Sequence, residues 1–408
     1  MWLPLYNRGG PFLYIMKRLF NKDHYILAFL AMVILSIFAL LALNLTFFNP
    51  VQRVIYNFSL SDVYYQIMQD TGNAHKSELI TIVDATQLYD RREIGDLMEE
   101  VSKCEPAVVG VDCIYEGFRG DTLGSNRLAE GVFSLKNAIY AFKLVNFDYE
   151  EDEFKGARHS FFTIADGLTE GYSNIRYDRA GMTVRKMMTQ MKVNGDTVHS
   201  LPYMVARAYS PDVEDFNNSE EHLIDFTPTE FPVVPCDSVA EYAHLLKDRI
   251  VYIGATHDDT DMQFCPYGRT PGTIIQAYAT QTILEHHRTI QVPRWIVLII
   301  SFFIVVLTDI MQTELAMWTK RQKNIWVRVV FSTVLFKNIV NLIWILVLIY
   351  LNFMLFYLYE LYFDPTILLF SIALLVDARL FYDSAKEAYK THYLKKQQKQ
   401  QKQQKQQP

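Results

Sequence analysis

Acidic side chains follow the ends of several predicted β-strands. Asp84 and Asp112 each come directly after a short apolar run of the kind that forms a buried strand. A third such run is followed by a polar loop that contains Thr256, Asp258 and Asp261. Because ligands of open α/β sheets bind at the carboxyl ends of the strands, these five side chains are candidates for a ligand site.

Two kinds of ligand suit carboxylates that converge in this way. Mg²⁺ and Ca²⁺ prefer oxygen ligands, and an amine or another basic group would pair with the same charges. A structural role is the alternative, because an aspartate at such a position also caps the next helix or braces a turn. These residue types do not identify a metal or a cofactor, so both stay unknown at this point.

Three arginines are candidates to meet these acids. Arg91 and Arg92 open the first predicted helix of the domain, and Arg185 lies in a later predicted strand. An arginine that faces a strand-end aspartate forms a bidentate pair. Such arginines either form internal salt bridges that hold loops or clamp an anionic ligand.

No strong catalytic motif accompanies these residues. The sequence has no Walker loop, no GxSxG, no HExxH and no set of kinase motifs. His286 and His287 end a predicted helix, where we expect them to serve the helix dipole and the membrane interface rather than a metal. Asp309, Asp377 and Arg379 fall near the ends of apolar runs, and we expect no special role for them. We therefore expect a protein that is not an enzyme.

An alternation of strands and helices would position the candidate residues. Ile94, Leu97, Met98 and Val101 follow the i, i+3, i+4, i+7 pattern of an amphipathic helix between two predicted strands. Asn194-Gly195 is typical of a β-hairpin. Together the pattern predicts an α/β fold with a mainly parallel mixed sheet flanked by helices.

Four apolar runs add a four-helix transmembrane part to this fold. Clusters of Lys and Arg place the N-terminus, the loop after the second span and the tail inside. If the third span began near residue 329 instead of 339, Lys337 would be buried rather than at the interface. The predicted order is cytoplasmic 1–24, span 25–48, extracytoplasmic domain 49–294, span 295–311, cytoplasmic loop 312–338, spans 339–359 and 362–381, and a cytoplasmic Lys/Gln-rich tail 382–408.

All four cysteines lie in the predicted extracytoplasmic domain, where an oxidising environment permits disulfides. Cys113 follows one predicted strand and Cys265 lies in the loop after another, so this pair is the preferred candidate. Buried free thiols are the alternative.

The sequence resembles the CHASE2 sensor family in its layout and in the order of its motifs. A signal anchor, an extracytoplasmic α/β domain and three closing membrane helices form the family arrangement, and the resemblance covers roughly residues 50–380. The segments that carry the resemblance are LITIVDAT, CEPAVVGVDCIYE, SNIRYDRAGMTVRKM, LLKDRIVYIGAT and PGTIIQAYATQTIL. Asp112 stands at the family's acidic position. Asn174, Asp178, Gly181 and Arg185 match its asparagine, aspartate-glycine and arginine stretch.

The resemblance implies a sensory input module in which Asn174 and Arg185 join the strand-end acids as ligand-binding residues. Ile274 and Gln276 stand where the family often has Glu and His. These departures weaken a ligand-reading role for the helix that starts near Pro271, and we expect that helix to connect the domain to the membrane.

The leading hypothesis is a sensor or regulatory protein of the bacterial inner membrane. Its extracytoplasmic domain senses an unknown small ligand or envelope protein. A Lys/Gln tail, not an output domain, follows the last span, so we expect a separate cytoplasmic or membrane signalling partner. A scaffold subunit of an envelope complex is the alternative, and a metal-dependent envelope enzyme comes after it. The net charge of −6 argues against nucleic acid, and a homodimer is left open.

Overall fold

The computed structural model describes residues 21–44, 59–72, 74–117, 121–164, 167–175, 183–259, 261–287 and 289–404. Asp178 and Gly181 lie outside the described residues, and so do residues 45–48 of the first predicted span. The chain divides into two compact units. We call residues 53–289 the α/β unit, and residues 1–52 with 290–408 the helical unit.

Helices and strands alternate along most of the described chain. The α-helices are α1 (Lys22–Asn44), α2 (Leu60–Asp70), α3 (Arg91–Lys103), α4 (Thr122–Ser134), α5 (Leu201–Tyr209), α6 (Ala243–Leu246), α7 (Gly272–Leu284), α8 (Arg294–Lys320), α9 (Ile325–Ser332), α10 (Val334–Tyr359) and α11 (Thr366–Gln404). The β-strands are β1 (His75–Lys76), β2 (Ile80–Asp84), β3 (Val108–Val111), β4 (Ala138–Asp148), β5 (Glu153–Arg158), β6 (Thr169–Tyr172), β7 (Lys186–Met188), β8 (Gln190–Val193), β9 (Asp196–His199), β10 (Glu221–Leu223), β11 (Thr229–Glu230), β12 (Val233–Pro235), β13 (Ile250–Gly254), β14 (Met262–Cys265), β15 (Gly268–Pro271), β16 (Ile290–Gln291) and β17 (Leu361–Tyr362).

The main sheet of the α/β unit has nine strands within the described residues. Their order is β12-β2-β13-β3-β4-β5-β8-β9, and β6 also pairs with β4. The strands from β12 to β4 run parallel to their neighbours, and β5 and β9 add antiparallel pairs. The turn at Asn194-Gly195 joins β8 to β9 and has positive φ at both residues, as a type I′ hairpin requires. The predicted mixed, mainly parallel α/β fold is confirmed.

Strand β13 is buried along its whole length because helices cover both faces of the sheet. Val251 and Ile253 belong to a core cluster with apolar residues of α3 and α4. Tyr252 faces the opposite side, and its hydroxyl lies 2.6 Å from Thr280 Oγ1 of α7. The unbroken apolar run in the sequence therefore reflects a strand with two covered faces.

The cysteines are free thiols, so the predicted Cys113–Cys265 disulfide is wrong and the alternative of free thiols holds. Cys113 packs against the core cluster beneath α3 and α4. Cys265 lies in β14, with its thiol 3.0 Å from Thr270 Oγ1. The two side chains thus occupy different packing environments. Burial raises the pKa of the Cys113 thiol to about 12, which keeps it protonated.

Three helices of the helical unit are long and apolar enough to cross a membrane, among the described residues. They are the stretches Lys22–Leu40, Arg294–Lys320 and Asn338–Tyr359. The predicted spans 25–48, 295–311 and 339–359 each overlap one of them. Helix α11 carries Asp377, Arg379 and Asp383 in its first half, and its predicted role as a fourth span stays a prediction.

A polar cluster is buried where α1, α8 and α11 pack together. Asp309 of α8 is fully buried, and its Oδ2 lies 2.6 Å from His24 Nδ1 of α1. Arg379 of α11 donates to the other oxygen of Asp309 and, at 2.7 Å, to the Thr313 hydroxyl. The expectation that Asp309 and Arg379 have no special role is therefore wrong, because each is the other's partner inside the helix bundle.

Two further contacts tie segments of the helical unit that are far apart in sequence. Strand β16, just before α8, pairs in parallel with β17, between α10 and α11. Asp23, at the start of α1, accepts hydrogen bonds from Tyr382 at 2.8 Å and Lys386 at 2.9 Å, both on α11.

Candidate functional site

The candidate site lies at the carboxyl edge of the three parallel strands β2, β13 and β3. Asp84 ends β2 and lies in register with Gly254 at the end of β13. Asp112 follows β3, and its backbone N–H donates to the Ile253 carbonyl at 2.9 Å. The two aspartates therefore flank the same central strand, one on each side.

Asp84 is held by hydroxyl and amide donors. Its Oδ1 accepts from the N–H of Thr86 at 3.0 Å, from the N–H of Thr256 at 3.2 Å and from the Thr86 hydroxyl. Its Oδ2 lies 3.1 Å from Nδ1 of the exposed His257. Burial raises the pKa of Asp84, but the hydrogen bonds from Thr86 and Thr256 together outweigh burial and leave the pKa lowered. Asp84 thus acts as an ionised brace between β2 and the loop after β13.

Asp112, partly buried, has the opposite electrostatic balance. Its Oδ2 accepts a hydrogen bond from the Thr273 hydroxyl at 3.0 Å, in the first turn of α7. Burial and then the nearby charge of Asp261 raise the pKa of Asp112 to about 7, although the Thr273 hydrogen bond lowers it. Burial also raises the pKa of Asp261, against the effect of the Gly272 N–H. Two acids therefore share the N-terminal end of α7, and Asp112 changes protonation near neutral pH.

A close backbone approach brings α7 to this position. A Cβ built on Gly254 would lie 2.2 Å from Thr273 Oγ1. Any other residue at the end of β13 would therefore displace Thr273 from Asp112. The glycine that ends the apolar run in the sequence is thus required by the packing of helix against strand.

The loop after β13 places some of its predicted polar residues near Asp84 and Asp112. The Thr256 hydroxyl lies 2.8 Å from His257 Nδ1. The Asp258 carbonyl accepts from the Asp261 N–H at 3.1 Å, and the Asp258 charge helps to raise the pKa of Asp261. Thr273 is missing from the sequence prediction. Thr273 could have been found because it lies in the first turn of a helix that begins at a Pro-Gly pair.

Asn174 and Arg185 hold other parts of the α/β unit together. The Asn174 amide makes two hydrogen bonds with the Leu144 backbone in β4, at 2.6 and 3.0 Å. Arg185 is 5% exposed and binds Asp62 of α2 through two hydrogen bonds of 2.8 and 2.6 Å. Asp62 belongs to a helix that precedes the sheet and not to a strand end. This contact is an internal salt bridge, one of the two roles expected for the arginines.

Arg91 and Arg92 also bind groups of the protein itself. The buried Arg91 donates to the Ser125 hydroxyl at 2.8 Å and to two carbonyl oxygens of residues 116–117. The exposed Arg92 pairs with Asp121 at 2.9 Å. Both contacts fasten the start of α3 to the segment around α4, as the loop-holding interpretation expects.

The chemistry available at the site is the exchange of a proton or a cationic group at Asp112 and Asp261. Negative charge at a helix N-terminus is favoured by the helix dipole, whereas two carboxylates in one partly buried position repel each other. A bound proton or cation removes that repulsion. A change of charge on these two acids would therefore act on the first turn of α7.

Comparison with known protein families shows a match to the CHASE2 domain over residues 28–311. This range is more than half of the 408-residue chain. It starts within α1, includes the whole α/β unit and ends within α8. Comparisons with curated proteins and with solved structures returned no match.

Proposed function

The chain belongs to the CHASE2 domain family, and from that premise we propose that it is a sensor in a bacterial cytoplasmic membrane. CHASE2 domains are extracytoplasmic sensor domains and not a catalytic family. In this proposal the α/β unit receives a small ligand or another envelope signal. The helical unit passes the signal to a separate cytoplasmic or membrane partner.

The hydrogen bond from Thr273 to Asp112 carries the proposal. Helix α7 begins at this contact, most of its residues are buried in the α/β unit, and residues 285–293 connect it to α8. A proton, a cation or a basic group that binds at Asp112 and Asp261 changes the charge at the first turn of α7. The response then reaches a membrane-spanning helix through one buried helix and a short connector.

Hydrogen exchange on the full chain in lipid nanodiscs at pH 8 tests this transmission. Asp112→Asn mimics the protonated acid. It should change exchange at the start of α7 and also in residues 285–293 and the first turns of α8. Asp84→Asn is the matched control, because Asp84 lies at the same sheet edge but braces only local loops. Its effect should stay within residues 84–86 and 255–257. An Asp112→Asn effect confined to residues 256–261 would refute transmission.

The ligand class is tested separately by thermal shift of the full chain. Cationic and amine metabolites, with neutral and anionic analogues as controls, are screened for stabilisation at pH 8. Stabilisation by cationic compounds that Asp112→Asn abolishes would place recognition at the acid pair. Equal stabilisation of the two proteins would place it elsewhere.

The separate partner is tested by mild crosslinking and co-purification from membranes. A sensor should recover its partner to different extents with the native chain and with Asp112→Asn. A partner recovered in equal, stoichiometric amounts with both would favour a scaffold subunit of an envelope complex instead.

A further inference from the structure

Three metal-ligating side chains meet where α7 ends. Glu285 and His287 directly follow the helix, and Asp225 follows β10 on a neighbouring segment. One ligand atom from each lies within 4.8 Å of the other two. We propose that Asp225, Glu285 and His287 form a binding site for a first-row divalent metal ion of the Zn²⁺ type. This site goes beyond the proposed function and does not depend on Asp112.

The backbone after α7 turns His287 towards the cluster. His286 has a left-handed backbone, with φ of 53°. The His287 N–H donates to the Thr282 carbonyl at 3.0 Å, and the His286 N–H donates to the Ile283 carbonyl at 3.2 Å. This pair of bonds is the Schellman arrangement, which reverses the chain at a helix end. Asp225 is joined to the same turn by its N–H, which donates to the Thr282 hydroxyl at 3.0 Å.

The separation of two of the ligand atoms suits one shared ion. His287 Nε2 and Asp225 Oδ2 are 3.7 Å apart, which is too long for a direct hydrogen bond. An ion at about 2.0–2.2 Å from each atom spans this separation with an open bond angle. The imidazole favours Zn²⁺ or a similar metal over Mg²⁺ and Ca²⁺, which prefer oxygen ligands alone.

Neighbouring side chains orient both carboxylates. Asp225 Oδ1 accepts from the Thr227 N–H at 2.9 Å and from the Thr227 hydroxyl at 2.7 Å. Glu285 Oε1 accepts from the Gln281 amide at 2.8 Å. Such outer partners typically hold metal ligands in place. Glu285 is exposed and the side chain of His287 is 32% exposed, so an ion can enter from solvent and keep water in its remaining positions.

A bound ion would fasten the connector to the body of the α/β unit. Residues 285–287 begin the segment that leads to α8, and Asp225 anchors them to the loop after β10. The ion would therefore restrict the motion of the connector, whereas the acid pair acts at the opposite end of α7.

Zn²⁺ titration of the tag-free full chain in detergent tests the site, with bound metal measured after equilibrium dialysis. The native chain should bind Zn²⁺ at least about tenfold more tightly than His287→Ala or Glu285→Gln. His286→Asn is the matched control. It removes the neighbouring imidazole, keeps a residue that tolerates the left-handed backbone and should bind like the native chain. Mg²⁺ should not compete.

Failure of the native chain to bind Zn²⁺, or equal affinity in His287→Ala, would overturn the site. Unfolding without metal shows whether each variant is folded, and the conservative Asp225→Asn provides a third test. Hydrogen exchange should show Zn²⁺-dependent protection of residues 285–287 in the native chain and not in the variants. Since Asp112 takes no part, a negative result here leaves the proposed sensing function standing, and the reverse also holds.

Discussion

The helical unit and the α/β unit each shield a carboxyl group from solvent, but with different neighbouring groups. In the helical unit, Asp309 is fully buried between His24 and Arg379. In the α/β unit, Asp112 is partly buried and meets a hydroxyl group, Thr273, and a second acid, Asp261. One carboxyl group has basic partners, whereas the other, among the described residues, meets a hydroxyl group and an acid.

We interpret this difference as one between a structural contact and a responsive one. A buried carboxylate is tolerated when a cation lies next to it, and removal of either partner then leaves the other charge uncompensated. A carboxyl group with only neutral or acidic neighbours tends to hold its proton. We therefore expect Asp309 to fix the packing of three helices, and Asp112 to respond to pH and to cationic ligands.

The largest effect is expected from Asp309→Asn. The change leaves Arg379 without its buried counter-charge, and it should destabilise the helical unit by about 3–5 kcal/mol. Thermal unfolding of the full chain in detergent measures it. Asp377→Asn is the control, because Asp377 is exposed on the same helix as Arg379 and its loss should change stability little. Similar losses for the two variants would contradict the assigned role of Asp309.

Asp62→Asn tests whether the stability lost on removal of a carboxylate depends on its basic partner rather than on the unit in which it lies. Asp62 pairs with the buried Arg185 inside the α/β unit. Its removal should cost about 2–3 kcal/mol, less than for Asp309 because Asp62 keeps some solvent contact. Denaturant unfolding of the full chain measures the change, with the exposed Asp70→Asn on the same helix as control. A loss below about 0.5 kcal/mol would mean that solvent replaces the pair.

Asp112→Asn should stabilise the protein at high pH. The pKa of Asp112 rises from 3.8 to about 7 on folding. The folded state therefore binds the extra proton between these values, and stability falls as pH rises through them. The advantage of the variant should grow from near zero below pH 4 to at most about 4 kcal/mol above pH 7. Unfolding as a function of pH checks it, and a pH-independent difference would contradict the raised pKa.

Thr273→Val should have the smallest effect. Valine keeps the volume but removes the donor to Asp112, which should cost about 1 kcal/mol. The loss should be larger at pH 8 than at pH 5, because the hydrogen bond favours the ionised acid. Parallel unfolding of Thr273→Ser, which keeps a hydroxyl, is the comparison. A loss that is the same at both pH values would assign Thr273 to packing alone.

The sequence predicts the sheet well because local patterns determine it. The apolar runs that become β2, β3 and β13 and the Asn-Gly hairpin depend on burial and turn geometry within a few residues. The strand-end position of Asp84 and Asp112 follows from the same runs. Their opposite pKa shifts could not be predicted, because these depend on Thr86 and Thr256 in one case and on Asp261 in the other.

The sequence did not predict which residues far apart in the chain pair with each other. Arg185 and Asp62, like Arg379 and Asp309, come together only after folding, and no spacing rule links them. The wrong disulfide prediction has the same cause, since Cys113 and Cys265 lie in different layers of the fold. The metal-type cluster also depends on a chain reversal at His286, which a side-chain pattern does not reveal.

The pairing of β16 with β17 has a consequence for sidedness. It holds the start of α8 and the segment between α10 and α11 at the same end of the helical unit. Asp23 meets α11 at Tyr382 and Lys386, well along that helix from its start at Thr366. Helix α11 therefore runs from the face where α8 begins to the face where α1 begins. This direction is the one expected if α11 is a fourth span, and that role stays a prediction. Within the helical unit, Arg379 of α11 pairs with the buried Asp309 of α8.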